Sequence, residues 1–277
     1  MMSVEIAEIL RKVTLLVLAG ALVQTPVLAL RFALRKAGSR TGNLAFSMLL
    51  GAFSLNLVYH LFILLGVFQR HPELLYLPVY CTLAFGPLLF FYVKLTLFPA
   101  YRLRWTDAKH ILLPLGQVVY FLALFMLPVE LKSQIKRSLV SPFYGGVEMI
   151  LYVTTFYAYL YFAWRFVIYR RKQLRHHPYS PAMREVRLLN QYLWGMLVLY
   201  FFNSAYIATD FISYDLLTIN LHALPGFTRL GELSFATLVW WSCFHGWRVW
   251  LIDRIVAARK KRAATSSARP APTRVRL

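Results

Sequence analysis

The sequence predicts an all-α membrane protein: a bundle of seven transmembrane helices with its N-terminus outside and its C-terminus in the cytoplasm. Three observations lead to this prediction. Hydrophobic residues make up 59% of the 277 residues, against about 45–50% in soluble domains. Apolar residues fall in seven long runs. Lysine and arginine are concentrated in alternate connections between those runs.

Each apolar run has about the length of a spanning helix, since roughly 20 helical residues cross a hydrocarbon core of about 30 Å. The fourth run is close to that minimum. The runs lack the polar–apolar alternation of a membrane β-barrel, so helices are predicted rather than strands. The runs cover residues 13–34, 43–68, 75–98, 110–128, 142–169, 186–213 and 227–252.

The third run is interrupted by Gly86 and Pro87, and a basic turn with Arg102 and Arg104 follows it. Proline removes one helical hydrogen bond, so a kink in the helix is the simplest interpretation. A hinge that moves during signalling is the alternative.

The two ends of the chain lie outside the predicted bundle, which covers residues 13–252. Residues 1–12 are predicted to be a periplasmic N-terminus without a cleavable signal, because the positive charge follows the first apolar run instead of preceding it. Residues 253–277 are predicted to form a disordered cytoplasmic tail that adheres to anionic lipid. Docking of a partner or of nucleic acid is the alternative for its basic cluster, Arg259, Lys260, Lys261 and Arg262.

The charge distribution predicts the orientation. Of the 31 lysines and arginines, 24 lie in or beside the first, third and fifth connections and the tail, and 7 lie on the other side. Acidic residues divide as 3 and 8 in the opposite sense. Basic residues mark cytoplasmic loops, so the net charge of +20 indicates topology, and no direct nucleic-acid binding is expected. Residues 129–141, basic but on the outer side, are predicted to form a surface helix.

Ionisable residues within the apolar runs are the candidate ligand-binding residues, because each costs roughly 2.5–3.5 kcal/mol at the bilayer centre. In the predicted topology they converge beneath the outer surface, where they can hold a cation, an amine or a proton. Two alternatives stay open: ordinary polar residues at headgroup level, and a metal site, although the spacing shows no recognised metal-ligand motif. The candidates are His60, Tyr80, Glu148, Asp210 and Glu232.

An enzyme is not expected from the motifs. The sequence has no phosphate-binding loop, no HExxH or GxSxG motif and no glycine-rich dinucleotide turn. These motifs are typical of nucleotide-binding and hydrolytic enzymes. The seventh run contains no lysine for a retinal Schiff base. No cofactor is predicted.

Several short motifs carry a resemblance to a known family: NLAF at 43–46, GPLLFFYVK at 86–94, Pro99, RLRW at 102–105, His110 and Pro114. In these motifs the sequence resembles the membrane half of bacterial AraC-type transmembrane regulators. A second likeness to that family lies in the connection from 170 to 175 and the following helix from 184. The resemblance implies a sensory seven-helix bundle in the bacterial inner membrane. The chain ends some 25 residues after the last run, so the family's DNA-binding domain is not transferred.

These features predict a receptor-like module that binds a small ligand or a proton from the outer side and signals to a separate partner. A non-catalytic accessory subunit of a larger membrane complex is the main alternative. A small-solute transporter is a further one, although no internal repeat is visible. The surfaces expected to meet a partner or anionic lipid include Arg102, Arg104, Arg170, Arg171 and Lys172.

Overall fold

Helices dominate this computed structural model, which describes residues 2–135 and 145–267. These residues contain no strand, so the all-α prediction is confirmed for them. Seven helices within the described residues have 13 residues or more. They are α1 (Met2–Ala33), α2 (Arg40–Leu64), α3 (Phe85–Leu97), α4 (Leu112–Phe125), α5 (Gly146–Gln173), α6 (Pro181–Phe211) and α7 (Pro225–Ser267).

Short helical segments occupy the connections. Serine side chains cap the N-termini of α2 and α6. Ser39 accepts a hydrogen bond from the backbone N–H of Gly42, and Ser180 accepts one from the backbone N–H of Met183. These bonds satisfy N–H groups that lack a helical partner. The short segments are Val67–Arg70, Pro72–Leu74, Thr82–Ala84, Trp105–His110, Val129–Gln134, Ile212–Leu216 and Leu221–Ala223.

Three helical segments are long and apolar enough to cross a membrane: Glu5–Ala33, Arg40–Leu64 and Pro181–Leu216. Thr82–Leu97 and Leu112–Phe125 are apolar but shorter. α5 and α7, with 28 and 43 residues, are long enough to cross a membrane but are not among these three apolar segments. Large apolar side chains on the outside of α1, such as Leu16, Val23 and Leu30, are exposed. Exposed apolar surface of this kind is compatible with contact to lipid.

Six of the long helices form a closed ring. α1 packs on α2, α2 on α3, α3 on α5, α5 on α6, α6 on α7, and α7 on α1. α4 lies outside the ring and packs mainly on the short segments Thr82–Ala84 and Trp105–His110. Only Gln117 and Phe121 of α4 are buried. Spatial order therefore departs from chain order, because α3 lies beside α5.

The third predicted run becomes helical later than expected. Residues 75–81 form no helix, because Pro78 removes a donor and restricts the residue before it. α3 begins at Phe85, so Gly86 and Pro87 lie in its first turn. A proline there breaks no helical hydrogen bond, and the predicted mid-helix kink is wrong. A Cβ at Gly86 would lie 2.8 Å from Tyr159 Cδ2, so this glycine permits close packing of α3 on α5.

Both ends of the chain are more helical than predicted. α1 starts at Met2, within the predicted N-terminal segment 1–12. α7 runs to Ser267, so residues 253–267 of the predicted disordered tail are helical, and 268–277 lie outside the described residues. The cause is composition: Ala, Arg and Lys are good helix formers, and extending an existing helix needs no new nucleus. Within the segment predicted to be a surface helix, Val129–Gln134 is helical and its Lys132 is buried; residues 136–141 are outside the described part.

Candidate functional site

The five residues predicted to bind a ligand line a single cavity. They come from five places: His60 from α2, Tyr80 from the segment before α3, Glu148 from α5, Asp210 from α6 and Glu232 from α7. The cavity lies at the end of the ring where α2 and α6 end and where α5 and α7 begin. Its volume of about 110 Å³ suits several waters or one small molecule. Further lining residues are Asn56, Ile63, Thr82, Met149, Tyr152, Asn203, Tyr206, Ile207, His222, Thr228, Gly231 and Phe235.

Glu148 is held by a buried glutamine from outside the ring. Gln117 Nε2 donates to Glu148 Oε1 and, over 3.0 Å, to Thr82 Oγ1. Its Oε1 accepts from the backbone N–H of Leu83 at 3.0 Å. Gln117 thus uses both of its N–H donors and its carbonyl oxygen, and it fixes both the carboxylate and the segment that leads into α3.

Asp210 faces a histidine that the sequence did not reveal as a site residue. Asp210 is 2% exposed, and its Oδ1 lies 2.9 Å from His222 Nε2. His222 belongs to the short segment before α7, and the side chain of Asn220 accepts from its backbone N–H. The pair joins the end of α6 to the segment before α7, and both residues line the cavity.

Glu232 is paired with Arg229, one helical turn earlier. Arg229 Nη1 donates to Oε1 and Oε2 of Glu232 at 2.8 and 2.7 Å. Glu232 is buried and Arg229 is partly exposed. The arginine neutralises one of the three carboxylates of the cavity.

Two asparagines of the cavity differ in how well they are satisfied. Asn203 Nδ2 donates to Ser234 Oγ at 2.9 Å, and its Oδ1 accepts from the Tyr152 hydroxyl at 3.4 Å. Asn56 is 1% exposed, and its Oδ1 has no hydrogen-bond partner. A buried carbonyl without a donor costs about 1–3 kcal/mol. A ligand that brings an N–H or O–H group would remove this cost.

Aromatic side chains close the inner end of the cavity. The ring of Phe235 lies 5.3 Å from that of His60 and 5.9 Å from that of Phe85. Phe53 and Phe85 are 4.7 Å apart. This buried layer separates the cavity from the opposite half of the ring.

The cavity therefore combines acceptors, aromatic faces and a surplus of acid. Three carboxylates face one arginine and two histidines among the lining residues and their partners. Carboxylates and aromatic faces attract an ammonium group. In the described residues, no group of three or more His, Cys, Asp or Glu is placed to hold a metal ion. The arrangement suits a small positively charged hydrogen-bond donor.

A second polar cluster lies on the other side of the aromatic layer, and sequence reasoning missed its central residue, His245. The Tyr92 hydroxyl and His245 Nε2 share a hydrogen bond of 2.7 Å. His245 stacks on Tyr192 with ring centres 4.2 Å apart, and the Tyr192 hydroxyl bonds Ser242. The cluster connects α3, α6 and α7. Its single histidine lies in an aromatic stretch of the seventh run, where no spacing marks it.

An ion pair beyond this cluster joins the connection after α1 to α7. Arg35 Nε lies 2.7 Å from Asp253 Oδ2, and Arg35 Nη1 donates to Asn43 Oδ1 at 2.7 Å. Asn43 Nδ2 in turn donates to the carbonyls of Arg35 and Ala37. At the predicted basic end of the bundle, the charge of Arg35 is therefore neutralised by Asp253, and this ion pair links the connection after α1 to α7.

Asp107 organises the basic turn after α3. Its carboxylate accepts from the Tyr101 hydroxyl, from the Arg104 backbone N–H at 2.9 Å and from Lys94 Nζ at 3.3 Å. Burial opposes ionisation, but these donors outweigh it and hold the pKa of Asp107 below its usual range. The turn is thereby fixed, while Arg102 and Arg104 are exposed.

The other basic residues predicted to meet lipid or a partner lie at helix ends. Arg170, Arg171 and Lys172 occupy the last turn of α5, where cations interact favourably with the helix dipole. Arg259 is exposed on α7. Lys260, Lys261 and Arg262 continue that helix, and their side chains are outside the described part of the molecule.

Comparison with known proteins gave no match: no protein-family model, no curated protein and no solved structure is significantly similar to this chain.

Proposed function

We propose that this chain is a receptor-like module of the bacterial inner membrane that binds a small cationic ligand, or a proton, from the outer side. In this proposal seven helices cross the membrane, with the N-terminus outside, and the signal goes to a separate cytoplasmic or membrane partner. The observation that carries it is the convergence of Glu148, Asp210, Glu232, His60 and Tyr80 on one cavity. Rare ionisable residues within apolar helices are typical of functional sites.

The aromatic layer offers a route from the cavity to the opposite end. Phe85 contacts the cavity residues Phe235 and Tyr152, and it is the first residue of α3. Tyr92 on the same helix bonds His245. A ligand that shifts Phe235 or Tyr152 would displace α3 and thereby the basic turn after it. Because Gly86 of α3 packs closely on Tyr159 of α5, α3 and α5 would move together in this scheme.

Titration of the purified full chain with methylammonium tests the proposal, with thermal stability and tryptophan fluorescence as readouts. We expect a saturable response that Glu148→Gln and Asp210→Asn weaken at least about tenfold, because each removes a carboxylate charge from the lining of the cavity. The matched control is Asp215→Asn, an acid that does not line the cavity. Equal responses in all variants would contradict the proposal. Absence of any response, together with co-purification in fixed stoichiometry with other membrane proteins, would favour an accessory subunit.

A further inference from the structure

An apolar groove of about 540 Å³ runs along the outside of the ring between α2, α3 and the segment that joins α3 to α4. Exposed apolar side chains form its walls, among them Leu44, Met48, Leu103 and Ile111. α4 packs on the short helical segments and leaves the groove open. The groove does not share a residue with the ligand cavity.

The groove has the length of one lipid chain in one leaflet. Its lining on the α3 side extends from Ala84 to Leu95, which corresponds to about 16 Å of helix at 1.5 Å per residue. Half of a hydrocarbon core is about 15 Å thick. An apolar groove of this length suits a hydrocarbon chain better than a water-soluble ligand.

The mouth of the groove is basic. Arg104 lines it and directly precedes the helical segment Trp105–His110. Lys109 lies within that segment but does not line the groove, and both residues are exposed. The single acid of the lining, Asp107, is turned inward to Tyr101, Lys94 and the Arg104 backbone, so it does not offset these charges. Trp105 is 95% exposed at the mouth, and tryptophan in membrane proteins is enriched at headgroup level.

We infer that this groove binds one anionic phospholipid, with an acyl chain against Leu88 and Met48 and the phosphate beside Arg104 and Lys109. Complementary charge selects the headgroup, and the apolar wall holds the chain. This lipid site in the groove does not depend on the proposed ligand cavity or on which ligand that cavity binds.

Native mass spectrometry of the detergent-solubilised full chain, titrated with phosphatidylglycerol or phosphatidylcholine, tests the inference. We expect one phosphatidylglycerol to bind at least about tenfold more tightly than phosphatidylcholine. The double variant Arg104→Gln/Lys109→Gln should lose this preference, since each basic residue near an anionic surface contributes severalfold in affinity. The charge-matched control Arg11→Gln/Lys12→Gln, at two exposed positions of α1, should retain it.

A second variant separates the groove from general electrostatic attraction. Leu88→Trp fills the groove without changing charge, so it should abolish tight binding while thermal stability shows that the chain is folded. Glycerol 3-phosphate should not compete, because it lacks the chain. The inference is overturned if phosphatidylcholine binds as tightly as phosphatidylglycerol, or if both double variants lose affinity alike. It is also overturned if Leu88→Trp binds lipid like the wild type or if glycerol 3-phosphate competes. Occupation of the groove by a second copy of the chain would overturn it as well.

Discussion

Tyr92 of α3 and His245 of α7 share a buried hydrogen bond of 2.7 Å across the ring. His245 is 2% exposed and Tyr92 is also 2% exposed. Neither group can therefore turn to water if the other is removed. The bond thus joins α3 to α7, the helix that carries the C-terminal basic residues.

Tyr92→Phe should lower the free energy of unfolding by about 1–3 kcal/mol, because it leaves the His245 ring nitrogen buried without a partner. The measurement is unfolding of the purified chain in mixed detergent micelles. Tyr92→Phe/His245→Phe should cost less than the sum of the single changes, since both polar groups are then gone. Tyr161→Phe, on an exposed face of α5, is the control and should be neutral. Additive single effects would show that the two groups do not interact.

Gln117→Leu should destabilise the end of the ring that holds the cavity by about 2–4 kcal/mol, because it removes the amide that pairs with Glu148, Thr82 and the Leu83 N–H. The same unfolding assay measures this effect. Gln191→Leu is the matched control: that glutamine is exposed and accepts from Arg248 alone, so the change should stay within about 0.5 kcal/mol. Similar costs for both substitutions would argue against an organising role for Gln117.

Gly195→Ala should be destabilising by about 1–3 kcal/mol, because a Cβ on α6 would overlap the indole of Trp241 on α7. That indole is fixed by a hydrogen bond to the Tyr192 carbonyl, and overpacking of a fixed neighbour is costly. Small residues at helix contacts are typical of membrane bundles. Gly116→Ala meets nothing within 4 Å, so it should be neutral or stabilising through helix propensity. The expected result is a thermal midpoint that falls for Gly195→Ala and is unchanged or higher for Gly116→Ala.

The convergence of the candidate residues on one cavity was predictable because charge is scarce in the apolar runs. An acid such as Glu148 or Asp210 within an apolar run must face the interior, and the interior at one level is one small volume. His222 lies in a connection and His245 lies among aromatic residues, so neither stands out by hydropathy. The position of α4 outside the ring was equally invisible, since hydropathy measures composition and does not identify neighbours. The resemblance to AraC-type regulators stays a prediction.

Asp107 should make the basic turn sensitive to acid. Its pKa is lowered in the folded chain, so its contribution to stability is complete above its unfolded pKa of about 3.9 and is lost as the pH falls through the folded value. Asp107→Asn should therefore lower the thermal midpoint most at pH 7, and the difference from the wild type should shrink below about pH 4. Thermal unfolding at pH 7, 5 and 3.5 measures this. A difference that is constant with pH would show that the charge of Asp107 is irrelevant.

The proposed orientation depends on the unequal distribution of lysine and arginine, and two exposed positions at opposite ends of the molecule test it. Tyr179, in the connection between α5 and α6, is 95% exposed, and Glu73, between α2 and α3, is about 59% exposed at its side chain. In a chain whose Cys81 and Cys243 are replaced by serine, Glu73→Cys should react with a membrane-impermeant maleimide in sealed right-side-out vesicles. Tyr179→Cys should react only after the vesicles are opened, because basic connections stay in the cytoplasm. The reverse pattern would place the ligand cavity on the cytoplasmic side, and a receptor for an external cation would then be the wrong function for this fold.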